Sequence, residues 1–303
     1  MNNCVTVVVM AHDRVETISD TIESLFLQKN IQIVVSDNSV TDSIKKHVKL
    51  NYPTIKYIRR KNYPDSSAHF NAILNSISSE YFIIFHDDDI FIENSIEKLF
   101  YAIEKDLEIS AVSGNAFVMN GGVKSRKTLI NKEYLPITIN NQQELAEKYV
   151  FFDSPGAAPF PGYLYRASIV KGINSHVSEG GKHADVSFLM KVAALGKILW
   201  IDDCIMHYRI HGENDSSIEN IGDRMSLIRY IKKNTKLKNK DFSHYKFSFY
   251  IHYLHQNFSF KKIISSYKYR AILMFIVKFG SLILTKSLVE GLKQLMHGTK
   301  VSK

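Results

Sequence analysis

Through the first 120 residues, short apolar runs alternate with stretches of helical period, and that alternation leaves the chain few architectures. CVTVVVMA is near-continuous and β-branched, the pattern of a strand buried on both faces. Asp13-Arg14-Val15-Glu16 follows as an acid cap with a glutamate three residues on, ahead of Ile18, Ile22, Leu25 and Phe26 at helical spacing. IQIVVS reads as a second strand, residues 42–50 as a short helix, IKYIRR as a third strand and SAHFNAILNSI as a helix. YFIIFH makes a fourth strand, NSIEKLFYAIEKD a helix capped at Asn94 or Ser95, and ISAVSGNAFVM a further strand. Strands alternating with helices of about 10–15 residues make a parallel α/β sheet, in which ligands bind beyond the carboxyl ends of the strands.

Three polar clusters sit just past such ends: Ala11-His12-Asp13, Asp37-Asn38-Ser39 and Asp87-Asp88-Asp89. Parallel strands bring all three to one edge. Three adjacent carboxylates repel one another and need a positive partner unless they are simply solvated. Mg²⁺ or Mn²⁺ would answer, since these cations take one or two carboxylates and fill their other positions with water and substrate phosphates. Asp37, ending an earlier strand, is placed to accept from a base or ribose. No GxGxxG and no GxxxxGK[ST] occurs, so neither a dinucleotide fingerprint nor a P-loop is supported.

Residues 120–160 are less regular, with Gly121-Gly122 and the proline-rich DSPGAAPFPGYLYR, which reads as loop and turn before a strand. DVSFLMKVAALG reads as an amphipathic helix ending at Gly196, and KILWIDD and IMHYRIH as strands. Asp185 at the helix start fits an N-cap as well as a general base. From about residue 221 the composition turns to Lys, Tyr and Phe at helical spacing. Residues from Arg224 onward hold 17 Lys and Arg against two acids; the whole chain is +9, so the part before them is net −6. That asymmetry divides the chain into 1–220 and a basic, aromatic-rich helical region, 221–303, whose partner would be anionic: nucleic acid, a phospholipid surface or an acidic polymer. AILMFIVKFGSLIL (271–284) is too short to span a bilayer and fits an interface-lying helix or one packed on the body. At 303 residues, 45% hydrophobic and 23% charged, the chain excludes global disorder. Two cysteines make no disulfide framework, and MNNCVTVVVMAHDR lacks a basic leader region, so a reducing compartment is expected.

VTVVVMAHDRVETISDTIESLFLQ, IVVSDNSVTD, EYFIIFHDDD and YRIHGENDS, in that order, resemble the family 2 glycosyltransferases of the GT-A fold over roughly residues 4–217. The resemblance implies a GT-A sheet with a C-terminal helical extension, and an inverting, metal-dependent transfer of sugar from a nucleoside-diphosphate donor, by family habit a UDP-sugar. Ala11, His12, Asp13 and Arg14 would wrap the nucleotide, and Asp37 and Asn38 would meet its base. Asn62 and His69, in RRKNYPDSSAHFN, and Asp87 would complete the nucleotide side; Pro64 and Phe70 depart there from the family's usual glycine and arginine. Asp87, Asp88, Asp89 and His211 would hold Mn²⁺ or Mg²⁺. Read as a simple DxD, the metal pair is Asp87 and Asp89; aligned on Ile90-Phe91, the first family aspartate falls on His86 and Asp88 becomes the main ligand. His207 is a weaker substitute for His211. Asp185, in His183-Ala184-Asp185 where the family commonly has Glu-Asp, would be the catalytic base. Tyr163 and Arg166 would line the acceptor side, or else serve packing.

The acceptor implied is a saccharide or a lipid-linked sugar in bacterial surface-polysaccharide assembly. Localisation is then cytoplasmic, with the basic tail peripheral on the inner face of an anionic membrane. A sugar-phosphate nucleotidyltransferase is the alternative enzyme, although MAHDRVET lacks that class's glycines; nucleic-acid binding through the tail is the non-enzymatic alternative.

Overall fold

The structure is a computed structural model and describes residues 5–257 except 64, 152, 155 and 211–219. In chain order the elements are β1 (Val5–Ala11), α1 (Val15–Phe26), β2 (Ile31–Asp37), α2 (Ser43–Asn51), β3 (Lys56–Arg59), α3 (Ser66–Ser76), β4 (Tyr81–His86), β5 (Ile90–Phe91), α4 (Ser95–Glu104) and β6 (Ile109–Asn120). They continue with β7 (Val123–Thr128), β8 (Ile137–Ile139), α5 (Gln142–Val150), β9 (Leu164–Arg166), α6 (Ala167–Val170), α7 (Ala184–Leu195), β10 (Lys197–Ile210), α8 (Ile221–Asn234) and α9 (Ser243–Asn257).

One sheet runs β3-β2-β1-β4-β9-β6-β10-β5, with β7 beside β6 and β8 beside β10. β1 to β4 are mutually parallel, and β6 and β10 are parallel to each other. β9 is inserted antiparallel between β4 and β6. Register supplies what alternation alone predicted: Ala11 pairs with Asp37, Asp37 with Arg59, and Met10 with His86. The three polar clusters therefore do end at one edge.

Burial explains why the sheet forms here. Val7, Val9, Val35, Ile83 and Phe85 lie in the core with Ile18, Ile22 and Leu25 of α1, each of them essentially inaccessible. Burying each such side chain contributes about 1.5–3 kcal/mol. α7 is not amphipathic as expected. Phe188, Leu189, Met190 and Val192 are all buried, together with Ala184, Val186, Ser187 and Ala193, so most of its circumference meets protein. The middle region is also more ordered than its glycines and prolines suggested. β7 escapes notice because its sequence, VKSRKT, is largely exposed and polar. In α5 only Leu145, Ala146 and Val150 are buried. KILWIDD and IMHYRIH are one bulged strand, β10, with register shifts near Cys204.

The described chain divides into two compact units, the first including residues 222–237 and the second beginning again at Lys238. α8 thus belongs largely to the first unit, where Leu227, Ile228 and Ile231 are buried, and not to the tail. In the second unit α9 carries the packed pair Tyr245 and Phe249. The interface-helix expectation for 271–284 falls outside the described residues. Among the described residues no helix is long and apolar enough to cross a membrane.

Candidate active site

Past β4 the chain separates its acids. Asp87 turns toward the β1–α1 loop, where it accepts from the His12 N–H at 2.8 Å and from Arg14 Nη1 at 3.0 Å. Its own carbonyl accepts from Thr17 Oγ1 at 2.8 Å. His86, Asp88 and Asp89 instead converge, each offering one ligand atom within 4.8 Å of the others. Arg14 also reaches Asp88 Oδ2 at 3.4 Å.

A second cation comes from β10. The Arg209 N–H donates to Asp89 Oδ1 at 2.8 Å and its Nε to the Asp88 carbonyl at 2.6 Å, while Nη2 pairs with Asp20 at 2.8 Å. Two arginines therefore offset the acidic triplet within the protein. Sequence reasoning missed Arg209, although the need for positive charge beside three aspartates was the available signal, and YRIH supplied it.

The offset is incomplete. Burial pushes Asp87 up to about 6 despite Arg14, and it pushes Asp89 well above the usual carboxylate range, with the Asp88 charge adding to it. Asp89 Oδ2 is buried without a partner. An unpaired buried carboxylate oxygen is costly, and a divalent cation would satisfy it. The donor set of two carboxylates and an imidazole fits such an ion. Asp87, expected on both the nucleotide and the metal side, is spent on Arg14 and His12 and stands apart from the converging set, so the three aspartates do not all meet at one point. His211 lies outside the described residues. His207 packs on Phe117, ring centroids 5.7 Å apart, with Nδ1 buried and unpartnered, and burial lowers its pKa.

Around this edge the loops are tied to one another. Asn38 Oδ1 accepts from His12 Nδ1 (2.9 Å), and Asn38 Nδ2 donates to the Tyr63 carbonyl at 2.9 Å. Asp13 does not cap α1. With φ at +52° it accepts from the Val40 N–H (2.9 Å) and Thr41 Oγ1 (2.7 Å), and Arg14 takes the N-cap position. Asn62 is exposed on the β3–α3 loop.

Four expected contacts are placed differently. Asp37 is fully buried, one oxygen accepting from Tyr57 and Arg59 and the other from the Ser39 N–H at 2.7 Å, so it organises the loop from beneath. His69 is also fully buried, against Ser36 Oγ at 2.9 Å; burial, with Arg60 nearby, lowers it to about 4, so it is a neutral core histidine. Tyr163 is core, its hydroxyl accepting from Trp200 Nε1 at 2.6 Å. Arg166 pairs in register with Tyr81, the first residue of β4, at the end of the sheet away from the acids. It donates to the Tyr81 hydroxyl (2.6 Å), the Ile103 carbonyl (2.7 Å) and the Ile109 carbonyl (3.2 Å), which makes it a buried structural clamp.

Asp185 is the second residue of α7; His183 holds the N-cap position. Its Oδ1 accepts from the Val186 N–H at 2.9 Å, and burial pushes it up to about 6, against the lowering influence of that bond and of Arg224. Aromatic packing ties this helix to the acidic edge. The His86 ring lies 6.4 Å from Phe160, which meets Phe188, one turn beyond Asp185, edge-on at 6.2 Å. The turn before Asp185 is fixed by α8: Asp223 Oδ2 accepts from the Lys182 N–H at 3.3 Å. Gly181 there has φ +60°, and a Cβ on it would fall 2.1 Å from the Asp223 carboxylate. These α8 residues were also missed, because the sequence assigned that helix to the tail.

A mostly parallel sheet, interrupted by one antiparallel strand and ending in an acidic motif at the carboxyl edge of β4, defines the GT-A class of glycosyltransferases. The family model described as glycosyl transferase family 2 matches residues 6–166, and the chain belongs to that family. A Haemophilus influenzae protein described as an uncharacterized glycosyltransferase is 25% identical over 236 residues, 73% of this chain and 70% of its own. Among solved structures, S. aureus TarS 1–349 in complex with UDP-GlcNAc aligns with TM-score 0.58 at 17% identity, over 93% of this chain and 81% of that one. The Pyrobaculum calidifontis mannosyltransferase PcManGT in complex with GDP-Man and Mn²⁺ aligns with TM-score 0.57 at 11% identity, over 95% and 80%. At such identities the likeness is one of fold. The chain is thus a glycosyltransferase, and neither the nucleotidyltransferase nor the nucleic-acid-binding alternative is needed.

Proposed function

We propose that the protein transfers a sugar, with inversion, from a nucleoside-diphosphate donor to a saccharide or lipid-linked acceptor, in a divalent-metal-dependent reaction of polysaccharide assembly. The observation that carries this reading is the convergence of His86, Asp88 and Asp89 beside Arg14 at the edge where a parallel sheet binds ligands. The related structures with UDP-GlcNAc and with GDP-Man and Mn²⁺ support a nucleotide-sugar donor, and UDP remains the family's commonest choice.

In this mechanism Asp88, Asp89 and His86 would hold a divalent cation, which when bound would supply positive charge to the leaving diphosphate. Asp185 accepts the proton of the acceptor hydroxyl, whose oxygen attacks the anomeric carbon opposite the diphosphate. The bond from that carbon to the diphosphate oxygen breaks, and the oxygen departs with the electron pair. Arg14, which remains about a third exposed, is placed to turn from Asp88 toward the phosphates. The loops tied by His12, Asp13 and Asn38 form the nucleotide wall, resting on buried Asp37. Residues beyond 237, basic and aromatic, carry the chain to an anionic membrane surface where a lipid-linked acceptor resides.

The test is calorimetric titration of UDP, GDP, dTDP, ADP and CMP, with and without Mn²⁺, into wild type and Asp88→Ala. Metal-dependent binding of one nucleoside diphosphate, lost in the variant, is the expected result. Equal binding to both proteins would overturn the metal role, and no binding by any of them would overturn the donor assignment.

A further inference from the structure

The family's acidic motif begins here with histidine, and the structure directs that histidine at the same point as the two acids that follow. His86 is fixed at the end of β4 by its pairing with Met10 and by Phe160 beside its ring. Asp87 leaves the cluster for Arg14, so the converging set is one imidazole and two carboxylates rather than three carboxylates. Asp89 is 1% exposed, and with Oδ1 held by Arg209 its Oδ2 is left buried and unpartnered. That orphan oxygen is an observation independent of the acidic run, and it points to a cation.

We propose that His86 is a nitrogen ligand of this cation and makes the centre select Mn²⁺ over Mg²⁺. The inference rests on the metal-dependent reading above and deepens it. Mg²⁺ is small, demands near-ideal octahedral oxygen coordination and gives up its water reluctantly. Replacing a carboxylate by imidazole removes one negative charge and one hard donor from the set, and Mg²⁺ suffers most from both. Mn²⁺, although the weakest binder of the first-row series, accepts an imidazole nitrogen more readily than the harder Mg²⁺, so it retains more of its binding. Phe160, tilted against the His86 ring with centroids 6.4 Å apart, would help to orient the imidazole.

The experiment uses Mn²⁺ alone, without nucleotide, on the full chain as wild type, His86→Asp and His86→Gln. Free Mn²⁺ is counted by electron paramagnetic resonance during competition with Mg²⁺, and pulsed measurement on the bound ion reads ¹⁴N modulation from a coordinated imidazole. Wild type should show the modulation and should release Mn²⁺ only to a large excess of Mg²⁺. In His86→Asp the Mn²⁺-to-Mg²⁺ preference should fall at least tenfold, and in both variants the modulation should weaken or vanish. Mn²⁺ bound by wild type without ¹⁴N modulation, or with a preference unchanged in His86→Asp, would overturn the role of His86 while leaving the metal-dependent transfer standing. Failure of all three proteins to bind Mn²⁺, with UDP present as well, would overturn the metal reading itself.

Discussion

Asp185 carries two opposed demands, and both can be measured. Burial raises it from 3.8 to about 6, so its carboxylate form is costly in the folded protein, yet the general-base role proposed for it requires that form. The proton is held more tightly in the native state than in the unfolded one, so the residue favours folding fully below about pH 4. That contribution is lost as pH rises through about 6. Asp185→Asn should therefore be more stable than wild type at pH 7–8 by about 2–3 kcal/mol, with the difference closing near pH 4, as thermal unfolding across that range would reveal. The same variant should lose about 10²–10⁴ in kcat while its nucleoside-diphosphate affinity stays unchanged. Wild-type kcat/KM should fall as pH drops below about 6. Arg166 makes the contrasting case, since its partners are the Tyr81 hydroxyl, the Glu104 carboxylate and the main-chain carbonyls of Ile103 and Ile109, away from the acidic edge. Arg166→Ala should cost on the order of 3 kcal/mol of stability by stranding those groups, and leave the acceptor KM unchanged in whatever protein remains folded. A raised acceptor KM at full stability would return Arg166 to the site.

At the scale of elements, the turn into α7 is held from outside. Gly181 adopts φ +60° directly over Asp223 of α8, so an alanine meets both backbone strain and a carboxylate. Gly181→Ala should lower Tm and reduce kcat more than it raises KM, because it displaces the segment that delivers Asp185. Asp223→Ala in the same chain should restore part of the loss, and the non-additivity of the pair measures the contact. Simple additivity would remove α8 from the positioning of the base. The parallel half of the sheet was legible because VTVVVMA, IQIVVSD and YFIIFH are nearly uninterrupted apolar strands with polar residues just past their ends. Alternation then fixed the shared edge. Which way each polar side chain faces was not legible. Asp37 and Asp88 read alike in sequence, yet Tyr57 and Arg59 claim the first from a neighbouring strand, while Arg14 from the β1–α1 loop and Arg209 from β10 flank the second. Arg166 was misplaced for the same reason. A three-residue strand carries no signal of its direction, and antiparallel insertion of β9 sends Arg166 away from the edge where its position in the chain suggested it would lie.

For the whole molecule, composition and contact draw the boundary in different places. Charge changes sign near residue 221, because α8 is rich in Arg and Lys, but Leu227, Ile228 and Ile231 bury that helix in the first unit. A chain ending at residue 220 would expose the apolar seat of α8 and lose Asp223 beneath the turn to Asp185, whereas one ending at residue 237 keeps both. The shorter chain should aggregate or unfold at lower temperature; the longer should bind nucleoside diphosphate with full-chain affinity by calorimetry. That separation permits a clean test of the basic region. Of the 17 Lys and Arg from Arg224 onward, most lie past residue 237 and are joined there by the apolar run 271–284. Each basic residue near an anionic bilayer contributes about 1 kcal/mol, and the apolar run would add burial at the interface. The full chain should therefore co-sediment with phosphatidylglycerol vesicles, less so in high salt, and the chain ending at 237 should stay in the supernatant. Transfer to a water-soluble acceptor should survive the truncation, while transfer to a lipid-linked acceptor in those vesicles should fall in proportion to the lost binding. Equal sedimentation of the two chains would place any membrane contact on the catalytic unit and leave the basic region without an assigned partner.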